Sequence, residues 1–142
     1  MTARELPRFA AVAVGDALPA LALPAVTRVA LAIYCGASGD HNPVHVDSDF
    51  ARAAGLDDVI THGMLVMAWT GRVLTDWAPP AAIRSFDTRF LAVTRIGDAI
   101  TARGVITEKF ELGDERRVRI ALEAVDQRGE AKTRGSAVVA LG

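Results

Sequence analysis

Residues Met64–Trp77 read M-L-V-M-A-W-T-G-R-V-L-T-D-W, and this stretch decides the fold. Thr70, Arg72, Thr75 and Asp76 are its only polar positions, and Pro79-Pro80 stops any helix that runs through it. A helix apolar on nearly every side has to be wrapped by something, most simply by a curved sheet. The chain supplies that sheet downstream. From Arg84 the apolar period changes from helical to two: Phe86, Thr88, Phe90 and Ala92 alternate with Ser85, Asp87, Arg89 and Leu91. Ile100, Ala102, Gly104 and Ile106 follow the Gly97-Asp98 turn. Val118, Ile120, Leu122 and Ala124 follow Gly113-Asp114, and a last strand carries Ala137, Val139 and Leu141 after the Asp126–Gly129 turn. The expectation is an α+β domain spanning 1–142. It has helices first, one buried helix in the middle, and then an antiparallel meander of four strands in a sheet of about five. Such a sheet leaves an edge to cover, so the chain is expected to pair with a second copy.

Upstream, Pro19 and Pro24 make any strand within 1–26 short, and Gly15-Asp16 reads as a turn. Thr27 is a good N-cap for a helix from Arg28 to about Ala37, with Val29, Ile33 and Ala37 on one face. Asp47 or Ser48 opens a second short helix that Gly55 closes.

Between those helices lies G-D-H-N-P-V-H-V-D (Gly39–Asp47). Pro43 fixes its own φ and pushes Asn42 out of the α region, so the Asn42-Pro43 turn can bring the Asp40 carboxylate and His45 imidazole towards one point. An imidazole near its ordinary pKa works as acid or base at neutral pH, and a carboxylate beside it tunes it. Asn42 has the donors and acceptor to orient either partner. Two other readings stay open at this level: Asp40 capping the turn beside an unremarkable loop histidine, or a metal held by His41, His45, Asp47 and Asp49. The metal reading lacks a Cys ligand, a His pair at helical spacing or a familiar ligand pattern. Further on, His62-Gly63 stands at the start of the buried helix. There a Gly admits a ligand oxygen to an unpaired N–H, or merely permits close packing while His62 caps or packs. Along the helix, Met67, Gly71 and Leu74 are the expected wall of an apolar pocket.

Sixteen basic residues against seventeen acidic ones leave a formal charge of -1, which gives no electrostatic footprint for nucleic acid or an anionic membrane. Arg116, Arg117 and Arg119 read as a solvated strand face. The single cysteine, Cys35, excludes an internal disulfide. The N-terminal apolar run is short and follows Glu5, unlike a secretory signal, and no stretch reaches the roughly 20 apolar residues a bilayer requires. A cytoplasmic protein is expected. Around Ser38, G-A-S-G-D lacks the closing glycine of a nucleophile elbow, and the same glycines are not a phosphate loop.

Three segments carry a family likeness: S-G-D-H-N-P-V-H-V-D (Ser38–Asp47), I-T-H-G-M-L (Ile60–Leu65) and R-F-L-A-V-T-R-I-G-D (Arg89–Asp98). Together they resemble the MaoC-like (R)-specific enoyl-CoA hydratase and 3-hydroxyacyl-thioester dehydratase family, over nearly the whole chain from Thr27 onward. The resemblance implies a hot-dog fold with its sheet wrapped round a long central helix. It implies Asp40 and His45 as the catalytic pair, Asn42 as an orienting residue and the Gly63 N–H as oxyanion donor, with His62 close to the substrate. It implies a dimer, homo- or heteromeric, and an acyl substrate carried on CoA or acyl carrier protein. Hydration of an activated double bond involves no redox step, so no cofactor or metal is expected. Two alternatives share this fold: a hot-dog acyl-CoA thioesterase, and the catalytic subunit of a hetero-oligomeric dehydratase acting on fatty-acyl or steroid side-chain thioesters. Val93 departs from the resemblance, standing where many members have Pro.

Overall fold

The Thr27 hydroxyl accepts the Ala30 N–H at 3.1 Å and starts helix α1 (Arg28–Ser38), which ends on Gly39 at φ 75. The structure, a computed structural model, describes residues 5–142. Helix α2 (Ser48–Ala53) is capped by the Asp47 carboxylate, which accepts the Asp49 and Phe50 N–H groups, and Gly55 follows at φ 86. The long helix α3 (Gly63–Trp77) opens directly on His62-Gly63 and stops before Pro79-Pro80.

The expected apolar face of α1 is the wrong one. Val29 and Ile33 are each 68% exposed, whereas Leu31 and Cys35 are buried. Both stripes have helical spacing; the one that wins meets Val26, Ala51 and Val59. Only a tertiary partner distinguishes two such faces.

Five strands form one antiparallel sheet: β1 (Leu21–Ala22), β2 (Ile83–Phe90), β3 (Thr101–Leu112), β4 (Glu115–Val125) and β5 (Ala131–Leu141), in the order β1-β3-β4-β5-β2. The expected four-strand meander is therefore corrected. Only β3, β4 and β5 follow one another, and β2 lies on the far side against β5, with Phe86 opposite Ala137 and Phe90 opposite Thr133. The link from Leu91 to Ile100 is much longer than a tight hairpin turn and is put to other use. Its Leu91 and Ala92 N–H groups donate to the Lys132 carbonyl, and its Thr94 carbonyl accepts the Thr61 N–H at 2.9 Å. It thereby ties the end of β2 to the start of α3. Strand β1 is short, as its flanking prolines require.

Helix α3 packs Val73, Leu74 and Ala78 on the inner sheet face, against Ile106, Val118, Ile120, Leu122 and Val139. The sheet wraps one side of the helix rather than all of it. Leu65 and Trp69 reach the α1–α2 layer instead, and Met64 stays 57% exposed.

A buried charge cluster locks the β5 end of this arrangement. Lys132 is 1% exposed, yet its ammonium meets the Val93 carbonyl at 3.1 Å, Asp98 at 3.4 Å, Asp126 at 3.3 Å and the Glu130 carboxylate. Arg128 adds contacts to Asp126 at 2.6 Å and Asp98 at 3.2 Å. Burial alone would raise the Asp126 pKa. Hydrogen bonds from the Arg128 side chain and the Glu130 and Arg128 N–H groups, with Lys132, outweigh it and hold the carboxyl well below the usual range. Burial would likewise lower the Lys132 pKa, but Glu130, Asp98 and Asp126 together raise it.

Two outcomes follow from this frame. A Cβ on Gly135 would lie 2.0 Å from the Asp87 carbonyl oxygen, a backbone atom that cannot step aside. Gly135→Ala is expected to destabilise by about 3 kcal/mol or more and to expose β2 amides to hydrogen exchange; wild-type stability in denaturant titration would refute the close β2–β5 approach. Because the folded-state Asp126 pKa is depressed, its stabilisation is present above the unfolded carboxylate value of about 3.9 and is lost as pH falls through the folded value. Tm should therefore drop steeply below about pH 4, and Asp126→Asn should flatten that acid limb in a calorimetric pH series.

Candidate active site

The loop between α1 and α2 is built from its own side chains. Ser38 Oγ accepts the Asp40 N–H and Asp40 Oδ1 accepts the Asn42 N–H, both at 3.2 Å, while Asn42 Oδ1 accepts the Val44 N–H at 3.1 Å. Pro43–His45 then forms one 3-10 turn. These bonds hand the loop from residue to residue and deliver His45 to the strand-like segment before α3. There Ile60 donates its N–H to the Val44 carbonyl at 3.2 Å and accepts the His45 side chain at 2.7 Å from Nδ1.

That last bond decides the tautomer. A carbonyl oxygen only accepts, so Nδ1 carries the proton and the neutral ring keeps its lone pair on Nε2. Nε2 faces the Asp40 carboxylate, 3.9 Å from Oδ2, and the His45 side chain is 12% exposed against 49% for Asp40. The gap is too wide for a direct hydrogen bond. It suits a single oxygen atom lying about 2.8 Å from each group.

His45 and Gly63 line one cavity of about 330 Å³, whose walls include Val66, Phe90, Leu91 and Lys132. Gly63 is the first residue of α3, so its N–H has no intrahelical acceptor. A Cβ there would come within 3.1 Å of the Phe90 ring. The small residue keeps the approach to the N–H open.

His62 is 1% exposed and does not line this cavity. Its ring stacks on His45, with centroids 3.8 Å apart and planes at 24°, and Tyr34 meets it edge-on at 4.7 Å. Its Nε2 lies 3.3 Å from the Asp40 carbonyl oxygen and 3.4 Å from Cys35 Sγ, while its Nδ1 is buried without a partner. Burial, and then the neighbouring His45, push its pKa down.

The structure thus sets Asp40 beside His45, and His45 in the cavity that Gly63 also lines, with Asp40 itself outside the cavity wall; it places the other expected residues differently. The Asn42 side chain is spent on the turn; its tie to Asp40 runs through its backbone N–H. His62 sits behind the catalytic pair, not against the cavity. Met67, Gly71 and Leu74 are absent from the cavity wall, Leu74 being fully buried against the sheet and Gly71 facing the Phe86 ring. The helix residues that line the cavity, Gly63 and Val66, lie in the first turn of α3, whereas Gly71 and Leu74 lie about two to three turns further along. On a helix apolar all round, the sequence carries no mark of which stripe meets the cavity. Phe90, Val66 and Lys132 were not anticipated. Phe90 had a signal, since it ends an alternating strand in R-F-L.

The side chains of the alternative metal set, His41, His45, Asp47 and Asp49, are not gathered among the described residues: Asp47 caps α2, and Asp49 pairs with Arg52. Asp40, His45 and His62 do bring ligand atoms within 4.8 Å of one another. The stacked rings, however, hold their lone pairs in two nearly parallel planes, a poor arrangement for converging on one ion.

The family description MaoC like domain fits residues 11–128. An (R)-specific enoyl-CoA hydratase of Rhodospirillum rubrum is 38% identical over 77 residues, covering 53% of this chain and 54% of that protein. A mitochondrial 3-hydroxyacyl-[acyl-carrier-protein] dehydratase of Arabidopsis thaliana is 37% identical over 67 residues, covering 47% of this chain and 40% of that protein. The chain thus spans about half the length, or less, of these curated relatives. In three dimensions it superposes on an (R)-hydratase from A. caviae with a TM-score of 0.81 at 25% identity, covering 92% of this chain and 98% of that one. An R-hydratase from Pseudomonas aeruginosa gives 0.80 at 24% identity, covering 96% and 86%. The fold is a hot-dog fold, and the chain belongs to the MaoC-like dehydratase family.

Proposed function

We propose that this protein is a hydro-lyase that reversibly hydrates trans-2-enoyl thioesters, of CoA or acyl carrier protein, to (3R)-3-hydroxyacyl thioesters. The observation that carries the reading is the bond from His45 Nδ1 to the Ile60 carbonyl. It leaves Nε2 free, 3.9 Å from Asp40 Oδ2, in the cavity that Gly63 also lines. A water held between Nε2 and the carboxylate loses one proton to the pair as its oxygen adds to C3. The pair returns one proton to C2, so nothing is consumed but water. Both groups lie on one side of the double bond, which makes the addition syn. The Gly63 N–H meets the thioester oxygen as enolate character develops. The apolar wall of Val66, Phe90 and Leu91 receives the acyl chain. No cofactor or metal enters this chemistry. A cytoplasmic location is part of this reading, and among the described residues no helix is long and apolar enough to cross a membrane.

Assembly belongs to the same proposal. The outer edge of β2 has no strand partner among the described residues, and Phe90, Leu91 and Val93 beside it are 51%, 47% and 40% exposed. A second hot-dog subunit, the same chain or a homologous one, covers this edge. Light scattering at micromolar concentration should give twice the chain mass or more, for the chain alone or with its partner subunit; a lone monomer under both conditions would contradict it.

Loss of the enoyl-thioester absorbance on adding protein is the direct assay. Asp40→Asn and His45→Ala should each lower kcat by about 10² to 10⁴, the usual range for general acid–base groups. Gly63→Ala, which obstructs the N–H while Phe90 has room to give, should lower kcat by about 10² or more with little change in Tm. Wild-type rates in the first two variants would sink the assignment. Release of free thiol instead of double-bond loss would point to a thioesterase.

A further inference from the structure

We propose that His62 is a positioning residue: a buried neutral imidazole that holds the Asp40–His45 pair at its working separation. The proposal rests on the reaction proposed above and adds a residue to it. Two contacts carry it, and they go to different members of the pair. The His62 ring is the platform on which the His45 ring lies, 3.8 Å away and 24° from parallel. Its Nε2 is 3.3 Å from the Asp40 carbonyl oxygen, which can only accept, so the proton of the neutral ring sits on Nε2 and donates to that carbonyl. No other side chain makes both contacts among the described residues.

The catalytic groups need such a brace. Asp40 lies beyond the end of α1, where its backbone N–H and its carboxylate are bonded only to near neighbours in the chain, and its side chain is half exposed. His45 is fixed at Nδ1 by Ile60, but one hydrogen bond leaves an imidazole free to swing about it. The stack removes that swing, and the bond to the Asp40 carbonyl ties the same platform to the other group. His62 is itself immobile: it is 1% exposed, Tyr34 closes its edge, and it directly precedes the first turn of α3.

The ring must also stay uncharged. The groups facing it are His45, Asp40 through its carbonyl, the Cys35 thiol and the Tyr34 ring. Protonation would place an N–H on Nδ1, which is buried and has no acceptor among the described residues, and a positive charge against the stacked His45 ring. A neutral His62 therefore leaves the site's exchangeable proton to Asp40 and His45 alone.

Three variants and one spectrum test this. His62→Leu removes ring and donor; kcat should fall about 10- to 100-fold with KM within about twofold, the pattern of misplaced catalytic groups. His62→Gln keeps a donor at the position of Nε2 and should recover most of the lost kcat, whereas His62→Phe, a ring without a donor, should recover less. Nitrogen-15 spectra of the wild-type histidines should show His62 protonated at Nε2 and not titrating between about pH 5 and 8. Wild-type kcat in folded His62→Leu overturns the proposal. So does a His62 that titrates in that range, or equal losses in the Leu and Gln variants with KM raised in both. Should His62→Leu fail to fold, the Gln and Phe variants and the wild-type spectrum decide. If the wild-type protein shows no hydration that Asp40→Asn abolishes, the reaction assignment fails. The spectrum then still decides whether His62 is the neutral donor to Asp40.

Discussion

Helix α3 is apolar on more sides than one five-stranded sheet can cover, and that mismatch shapes the rest of the molecule. The sheet takes the Val73–Leu74–Ala78 side into its concave face. What remains has to be covered by something else. Leu65 and Trp69 recruit α1 and α2, which exist largely to supply Leu31, Ala51 and their neighbours. Val66 turns towards the β2–β3 link, and the space left between them is the cavity. Met64 and Phe90 remain exposed beside the free edge of β2. At roughly 25 cal/mol per Å² of apolar surface removed from water, covering them would stabilise any assembly that did so. The active site thus lies where helix packing runs out, between an over-apolar helix start and a sheet that has already curled away.

Much of this was legible in local chemistry. Thr27, Asp47 and Gly55 marked helix ends because capping is a contest between neighbouring residues, and no distant partner can reverse it. Asn42-Pro43 marked the catalytic turn for the same reason: the proline ring restricts φ whatever surrounds it. What could not be read depended on residues far away in the chain. Val29–Ile33 and Leu31–Cys35 are equally good stripes until Val59 arrives. Strands in chain order suggested a meander, but β2 pairs with β5, forty-nine residues on at Asp87–Ser136. The pocket wall was misplaced along the helix, because an all-apolar helix carries no polar residue to mark where the sheet stops covering it and a cavity begins. The role of His62 was hidden too, since burial beneath His45 is a property of the fold and not of the H-G dipeptide.

The charge cluster shows how the far wall of the site is kept in place at some cost. Taking a lysine out of water is unfavourable, and an apolar residue of similar volume often serves stability as well or better. What Lys132 does that an apolar residue cannot is donate to the Val93 carbonyl while its own carbonyl holds the Leu91 and Ala92 N–H groups. One residue therefore grips three successive positions of the link that walls the cavity. Position 93 is where the family resemblance leads one to expect a proline and the chain has Val. A proline would still offer the carbonyl, which is the atom Lys132 uses, so the departure leaves the grip intact.

The site then combines two kinds of fixation. Gly63 is set by a helix, and Leu91–Thr94 by a buried salt network. Asp40 and His45 sit on a loop with one face towards solvent. A reaction that needs an oxygen held between carboxylate and imidazole tolerates little change in a 3.9 Å separation, because a shift of about 1 Å already costs orders of magnitude in rate. The loop achieves that tolerance by leaning on α3: Val44 and His45 bind the Ile60 backbone immediately before it, and the ring of His62 supports both reacting groups. The helix start is therefore doubly employed. Its first residue lines the cavity, and the residue before it contacts both Asp40 and His45. In the reaction proposed for this site, enolate stabilisation and proton transfer are then registered to each other by a single peptide bond, His62–Gly63, which is the shortest mechanical link the chain can provide.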